Sequence, residues 1–230
     1  DCDGGRWSSD AGLIWLKEIN EPLGLPRALA TALSDARDAR RLRFTPDDLR
    51  KQRIFPIAAG YEEANDSHTL RPDPLFKLLR DRLPETGAPL ASQPTISRFE
   101  HSASRTELSR RALVLRDQCI ASYDSPPAVI VLEVDDPEDR AHGAQEQIRY
   151  EGYYGGYWCM PCHLYAGLSG RLSTTILKAQ RFSSAHMLAG RKRVVKRLRH
   201  AWPDTWVLLR GDSHCASPEV RAWIAAHPHL

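Results

Sequence analysis

The sequence contains no run of apolar residues that approaches the roughly 18 needed to cross a membrane. Its first residues, DCDGGRWSSD, also lack the basic-then-apolar order of a secretory signal, and the chain has no internal repeat or low-complexity tract. We therefore expect a cytoplasmic globular protein without a membrane partner. Its 230 residues, 42% of them hydrophobic, are enough for one large domain or two small ones with separate cores.

Cysteine is scarce, and its five copies are an odd number. Without a secretory signal, we expect free thiols rather than a disulfide framework. Cys159, Cys162 and His163 nevertheless have the spacing of a c-type haem attachment motif. Cys-x-x-Cys also suits a redox pair or, together with His214 and Cys215, a zinc site. Haem attachment needs an exported protein and zinc needs two further ligands, so we favour a chance occurrence.

Positive charge is concentrated in the second part of the chain. Residues 1–136 carry 19 Lys and Arg against 22 Asp and Glu, whereas residues 137–230 carry 13 against 7. Much of this excess lies in segment 191–200, where apolar residues at helical spacing are interspersed with six cations: Arg191, Lys192, Arg193, Lys196, Arg197 and Arg199. A helix with a solvated cationic face would explain the pattern, and so would a DNA-binding helix.

The first part of the chain has the pattern of successive amphipathic helices. We predict helices at 12–20, 27–33, 46–60, 74–83 and 104–123. Three of them begin with capping signals, which are Thr45 before Pro46, Asp73 before Pro74, and Ser104 followed three residues later by Glu107. Gly24 and Pro26 break the pattern between the first two helices.

Two prolines, Pro126 and Pro127, end the helical region, so we place a domain boundary near Ser125. Beyond it we predict a strand at 129–135, a hairpin at 160–168 and 172–179, a helix at 184–200, a strand at 205–211 and a helix at 218–226. This order is typical of a ribonuclease-H-like core. An alternation of strands and helices also fits an ordinary α/β domain.

The two predicted strands outside the hairpin, 129–135 and 205–211, end in carboxylates or are followed directly by them. A protein core accepts carboxylates only when they are paired or bound to metal. The strand at 129–135 carries Glu133 and Asp135, and Asp136 follows it; Asp212 follows the later strand. In a ribonuclease-H-like core these strands are parallel neighbours, so we expect Asp135 and Asp212 to face one another. Such carboxylates suit Mg²⁺ or Mn²⁺, which prefer oxygen ligands. Asp135 and Asp212 are therefore the predicted catalytic and metal-binding residues.

Several blocks in a fixed order cover nearly the whole chain. They are 3–5 (DGG), 59–66 (AGYEEAND), 70–74 (LRPDP), 92–100 (SQPTISRFE), 132–146 (LEVDDPEDRAHGAQE), 152–165 (GYYGGYWCMPCHLY), 198–204 (LRHAWPD) and 209–213 (LRGDS). Together they resemble the DDE transposases of bacterial insertion sequences, specifically the group called thirteen-eighty. The match is close at 209–213 and looser at 132–139.

The resemblance implies a catalytic domain with the ribonuclease-H-like fold. Such an enzyme cuts at the terminal repeats of its element and joins the freed 3′ ends to target DNA. Its cofactor would be Mg²⁺ or Mn²⁺ in a two-metal site held by two Asp and one Glu, and its partner double-stranded DNA. It would act as a homodimer in the cytoplasm, at the bacterial nucleoid. Residues 1–125 would bind DNA ends or assist assembly, and residues 126–230 would form the catalytic domain.

The chain departs from this family pattern in two places. The family usually has Asp where Glu133 stands and Thr where Pro137 stands, so Glu133 and Asp136 are alternative or accessory ligands. The third acid lies on a helix well beyond the second Asp, but this chain ends 18 residues after Asp212 and offers only Glu219 there. We therefore expect an α/β protein with a helical N-terminal region and an incomplete ribonuclease-H-like core, from a truncated and inactive copy.

Weaker candidates lie between the two acids. His142 and Gln145 would position DNA or a metal-bound water, although a structured turn explains them equally well. The aromatic residues Tyr153, Tyr154, Tyr157 and Trp158 would stack on bases or fill a core. Two other classes of protein remain open, namely a non-catalytic DNA-binding remnant and a Cys-x-x-Cys metal or redox module.

Overall fold

The chain folds into two compact units, residues 1–111 and 112–230. The computed structural model describes residues 7–32, 42–137, 139–141, 148–152, 155–159, 161–176, 184–212 and 215–230. The division between the units lies inside a helix, whereas the sequence predicted a boundary near Ser125. The roles assigned to 1–125 and 126–230 stay predictions.

The first unit is helical throughout its described part, as predicted. Its helices are α1 (Leu13–Leu23), α2 (Leu25–Thr31), α3 (Pro46–Ala58), α4 (Ser67–Leu70), α5 (Pro74–Leu78) and α6 (Gln93–His101). A further helix, α7 (Arg105–Ala121), begins here and ends in the second unit. Gly24 separates α1 from α2 because it adopts a left-handed conformation with φ 59°, which costs little without a Cβ.

The three predicted capping signals are confirmed. The Thr45 hydroxyl accepts a hydrogen bond from the Asp48 amide at 3.1 Å, and the Asp48 carboxylate accepts one from the Thr45 amide at 2.9 Å. The Asp73 carboxylate accepts from the first amides of α5. Ser104 and Glu107 form the same reciprocal pair at the start of α7. Each cap satisfies backbone donors that a helix start leaves unpaired.

The predictions for this unit were wrong at two places. The helix predicted at 74–83 ends at Leu78, and Asp81 has a left-handed backbone with φ 54°. Helix α6 was not predicted, although Ser92 precedes it and Ile96 is fully buried within it. Apolar side chains from several helices form the core of the unit, including Phe55, Phe76, Leu79 and Leu90.

The second unit contains the strands. They are β1 (Val129–Asp135), β2 (Asp139–Arg140), β3 (Arg149–Glu151), β4 (Gly156–Cys159), β5 (Cys162–Ala166), β6 (Arg171–Ile176) and β7 (Trp206–Gly211). Four of them form a sheet in the order β6-β5-β1-β7, in which β1 is antiparallel to β5 and parallel to β7. The short strands β2, β4 and β3 form a separate antiparallel sheet. The predicted hairpin is shorter than expected, and residues 177–179 lie outside the described part.

Helices cover one face of the four-stranded sheet. They are the end of α7, α8 (Ser184–Ala201) and α9 (Pro218–Ala225), close to the ranges predicted for the last two. Burial alternates along β1, where Ile130, Leu132 and Val134 are buried. These residues join the core with Leu198 and Val207 among others. On the opposite face, Val129, Trp206 and Leu208 are exposed.

The protein therefore combines helices with a mixed sheet, an α/β fold as predicted. Among the residues that the structure describes, none of the helices has both the length and the apolar character that a membrane crossing requires.

A buried hydroxyl ties together the starts of the two parallel strands. Thr205 is 3% exposed, and its Oγ1 donates to the Pro127 carbonyl at 2.6 Å. We expect Thr205→Val to lower the free energy of unfolding by about 0.5–1.5 kcal/mol, because it removes the hydrogen bond that the buried hydroxyl makes. Urea denaturation followed by circular dichroism measures this. Thr106→Val, at an exposed position of α7, is the control; equal effects of the two would contradict the account.

Candidate active site at one end of the sheet

The two predicted catalytic acids lie side by side at the carboxyl ends of parallel strands. Asp135 is the last residue of β1, and Asp212 directly follows β7; both are exposed. The strands pair in register from Val129 with Trp206 to Val134 with Gly211. The next positions in that register are Asp135 and Asp212, and neighbouring strands are about 4.8 Å apart. The predicted parallel pairing of these strands is confirmed, while the catalytic role of the acids stays a prediction.

Both acids belong to the sheet face that the helices do not cover. Since side chains alternate along a strand, the buried residues of β1 place Glu133 and Asp135 on the opposite face. Val207 of β7 is buried and Leu208 exposed, so the same alternation brings Arg210 and then Asp212 to the face of Asp135. Asp136 is half-buried and follows the end of β1.

Glu133, two residues before Asp135 and on the same face of the sheet, forms an ion pair. The Arg210 guanidinium donates to the Glu133 carboxylate, and the two residues are in register across β1 and β7. Gly167 lies against the other side of Glu133, where a Cβ on Gly167 would stand 2.6 Å from Oε2. Glu133 therefore already has a cationic partner, which distinguishes it from Asp135 as a candidate metal ligand.

His163 lies on the other side of Asp135 and was not proposed as a site residue from the sequence. It pairs with Asp135 across β1 and β5, and with Thr175 across β5 and β6. Its Nδ1 is 2.8 Å from the Thr175 hydroxyl oxygen. From the sequence, His163 was interpreted only as part of the haem-like spacing that it forms with Cys159 and Cys162. Only strand pairing places it beside the acid.

Two of the protein's carboxylates fit part of a divalent cation site. Asp135 and Asp212 supply the hard oxygen ligands that Mg²⁺ and Mn²⁺ prefer, and both are accessible to water that would complete the shell. Across the described ranges, no group of three His, Cys, Asp or Glu side chains is arranged to hold a metal ion. Glu219, the remaining downstream acid, is exposed in the first turn of α9; a hydrogen bond from the Ser217 hydroxyl lowers its pKa.

The six cations predicted for DNA contact divide into two groups on α8. Arg191 is 4% exposed and donates to the Cys215 carbonyl. Arg197 pairs with Asp117, and Arg199 donates to backbone carbonyls, so these arginines stabilise the fold. The exposed cations are Lys192, Arg193 and Lys196. A polyanion contact on this helix would therefore rest on those three.

Other candidates are less informative. His142, Gln145, Tyr153, Tyr154 and His214 lie outside the described residues. On β4, Tyr157 is exposed and Trp158 half-buried; the ring of Tyr157 contacts that of Tyr150, with centroids 5.4 Å apart.

The cysteine environment disfavours a reactive thiolate. Burial raises the pKa of the Cys159 thiol, and the Asp139 carboxylate raises it further. The thiolate is the form that binds metal and attacks disulfides. Cys162 is buried in β5 and belongs to the core, which accounts for its presence by packing.

The second unit is thus an α/β domain with two carboxylates at the carboxyl ends of its parallel strands β1 and β7. Residues 1–229 match the family model described as transposase DDE domain group 1. The chain therefore belongs to this family of DDE transposases. Comparison with curated proteins gave no match, and comparison with solved structures gave none either.

The contact between Gly167 and Glu133 yields a prediction. Gly167→Ala should destabilise the protein by about 1–3 kcal/mol, because the added methyl group displaces the Glu133 side chain from Arg210. The same substitution in a Glu133→Ala background should cost much less, since the clash is gone. Chemical denaturation of the four proteins in a double-mutant cycle measures the coupling. Additive effects would show that the two residues do not contact each other.

Proposed function

We propose that the chain contributes to a DNA transposase the two carboxylates, Asp135 and Asp212, that such an enzyme uses for metal-dependent phosphodiester transfer at the ends of an insertion sequence. The observation that carries this proposal is that the two acids directly follow the last register pair of β1 and β7, Val134 with Gly211, at the carboxyl ends of these parallel strands. Family membership supports the reaction class. It does not by itself assign the residues, which rest on the geometry.

The order of the strands supports a ribonuclease-H-like core. Three antiparallel strands β6, β5 and β1 are followed in the sheet by β7, which is parallel to β1 and is reached through helix α8. Because this connection makes β7 parallel to β1, the carboxyl ends of both strands lie at the same end of the sheet. Carboxylates at the two ends then meet, although 77 positions separate them in sequence.

The charges around Asp135 and Asp212 favour a divalent cation as their partner. A bound divalent ion would supply the charge that stabilises the attacking and leaving oxygens. Asp135 and Asp212 repel each other and repel a DNA phosphate, so the pair favours a cation between them. Arg210 neutralises Glu133, which limits the negative charge of the face beside them. Backbone pairing in the sheet fixes the spacing of the two carboxylates.

The acid pair can be tested through metal affinity. Asp135→Asn and Asp212→Asn should each weaken Mn²⁺ binding about ten-fold or more, given that even the outer partners of metal ligands contribute that much. Stability without metal should change by less than about 0.5 kcal/mol, as at other exposed positions. Asp204→Asn, at the opposite end of β7 and also exposed, is the matched control. Isothermal titration with Mn²⁺ would contradict the assignment if all three variants bind like the original.

DNA binding by α8 can be tested separately. Lys192→Gln, Arg193→Gln and Lys196→Gln should each weaken binding to a duplex oligonucleotide and reduce the salt slope by about one, because each removes a phosphate contact. Arg221→Gln, an exposed cation on α9, is the control. Fluorescence anisotropy over a salt series measures both quantities. Slopes unchanged in the three variants would exclude this face, and DNA binding without divalent-dependent nicking would favour the non-catalytic alternative.

A further inference from the structure

A row of polar residues crosses the sheet at its acid-bearing end. Taken from one edge strand to the other, the row consists of Asp212, Asp135, His163 and Thr175. All four lie on the face that the helices leave uncovered, because their strand neighbours Gly211, Val134, Cys162 and Ile176 belong to or adjoin the covered face. The acid pair thus continues directly into His163 and Thr175, two residues that neither the sequence nor the family match assigns to a site.

His163 is held in place within this row. Its Nδ1 is 2.8 Å from Thr175 Oγ1, and its ring contacts the ring of Tyr165 with centroids 5.9 Å apart. The residue is half-buried. A side chain fixed by its neighbours loses little further freedom when it binds a ligand. The Thr175 contact uses one ring nitrogen, and within the described ranges Nε2 has no hydrogen-bond partner, so it can bind a second group.

A DNA strand at Asp135 and Asp212 needs a hydrogen-bond donor next to them. Carboxylates repel phosphate oxygens, and Arg210, an arginine on this face, is engaged by Glu133. His163 is the cross-strand neighbour of Asp135, at a separation of about 4.5–5.5 Å between Cα atoms. A DNA strand advances about 3.4 Å per phosphate along the duplex axis. A strand bound at the acids therefore brings a phosphate within reach of the histidine.

We propose that His163 is a substrate-positioning residue that donates from Nε2–H to a phosphate oxygen of the DNA strand bound at Asp135 and Asp212. In this proposal the Thr175 hydroxyl is the donor to Nδ1, which keeps the proton on Nε2. The proposal rests on the function proposed above, because it takes the acid pair as the place where DNA is held. It adds the residue that orients the strand across the sheet.

Histidine-ring NMR of the full chain tests this directly. The probes are Mg²⁺ alone and Mg²⁺ with the dinucleotide pTpT, and the His163 signals are assigned by their loss in His163→Gln. We expect the free protein to show the proton on Nε2, and the Nε2 resonance to shift when pTpT is added with Mg²⁺ but not with Mg²⁺ alone. The ring of His200, exposed on α8, should not respond.

Affinity for pTpT in Mg²⁺ gives a second readout. His163→Ala should weaken it about ten-fold, the usual loss of a hydrogen bond to a charged group. His163→Gln keeps an N–H donor and should retain part of the affinity, a rescue that a purely structural role would not show. Thr175→Val should weaken binding by a smaller factor, because the tautomer is no longer fixed. His200→Ala is the matched control and should bind like the original.

The contrary outcomes separate the two proposals. A shift of His163 with Mg²⁺ alone would make it a metal ligand and overturn the positioning role. Binding of pTpT that depends on Asp135 but is unchanged in His163→Ala would overturn the role of His163 and leave the proposed function intact. If pTpT does not bind with Mg²⁺, or binds equally to Asp135→Asn, then the proposed function fails, and the inference fails with it.

Discussion

The parallel pairing of β1 with β7 is the constraint on which the site depends. Its register pairs Glu133 with Arg210 and ends at Val134 with Gly211, directly before Asp135 and Asp212. Buried residues on the helix-covered face, such as Leu132 and Val207, fix that register, because a slip by one residue would turn each apolar side chain outward. The hydrophobic core therefore determines the spacing of the carboxylates, although it lies on the other side of the sheet.

The uncovered face of the sheet is built from charges that partly compensate one another. Arg210 and Gly167 confine Glu133 from two sides, so that this carboxylate has a partner within the protein. Asp135 and Asp212 each lie two residues further along their strands, at the carboxyl end of the sheet. On α8 the division is similar, because buried Arg191 stabilises the fold while exposed Arg193 is accessible to a polyanion. In both places the neighbours of a charge, rather than its residue type, decide its role.

Much of the fold could be predicted from the sequence because local signals were strong. The continuous run of Val, Ile and Leu at 129–132 predicted β1, and the caps at Thr45, Asp73 and Ser104 predicted three helix starts. Helix α6 was not predicted, because its nine residues include few apolar ones and so show no clear helical periodicity. His163 could not be identified as a neighbour of Asp135, because antiparallel register is set by tertiary pairing and its Cys-x-x-Cys context pointed elsewhere.

The central claim is that Asp135 and Asp212 share a divalent cation at the carboxyl ends of two parallel strands. The most direct measurement is a crystal structure of the chain with Mn²⁺, in which anomalous scattering locates the ion. The account predicts Mn²⁺ bonded to at least one carboxylate oxygen from each of the two residues. Mn²⁺ bound elsewhere, or at one of the acids with the other turned away, would contradict it.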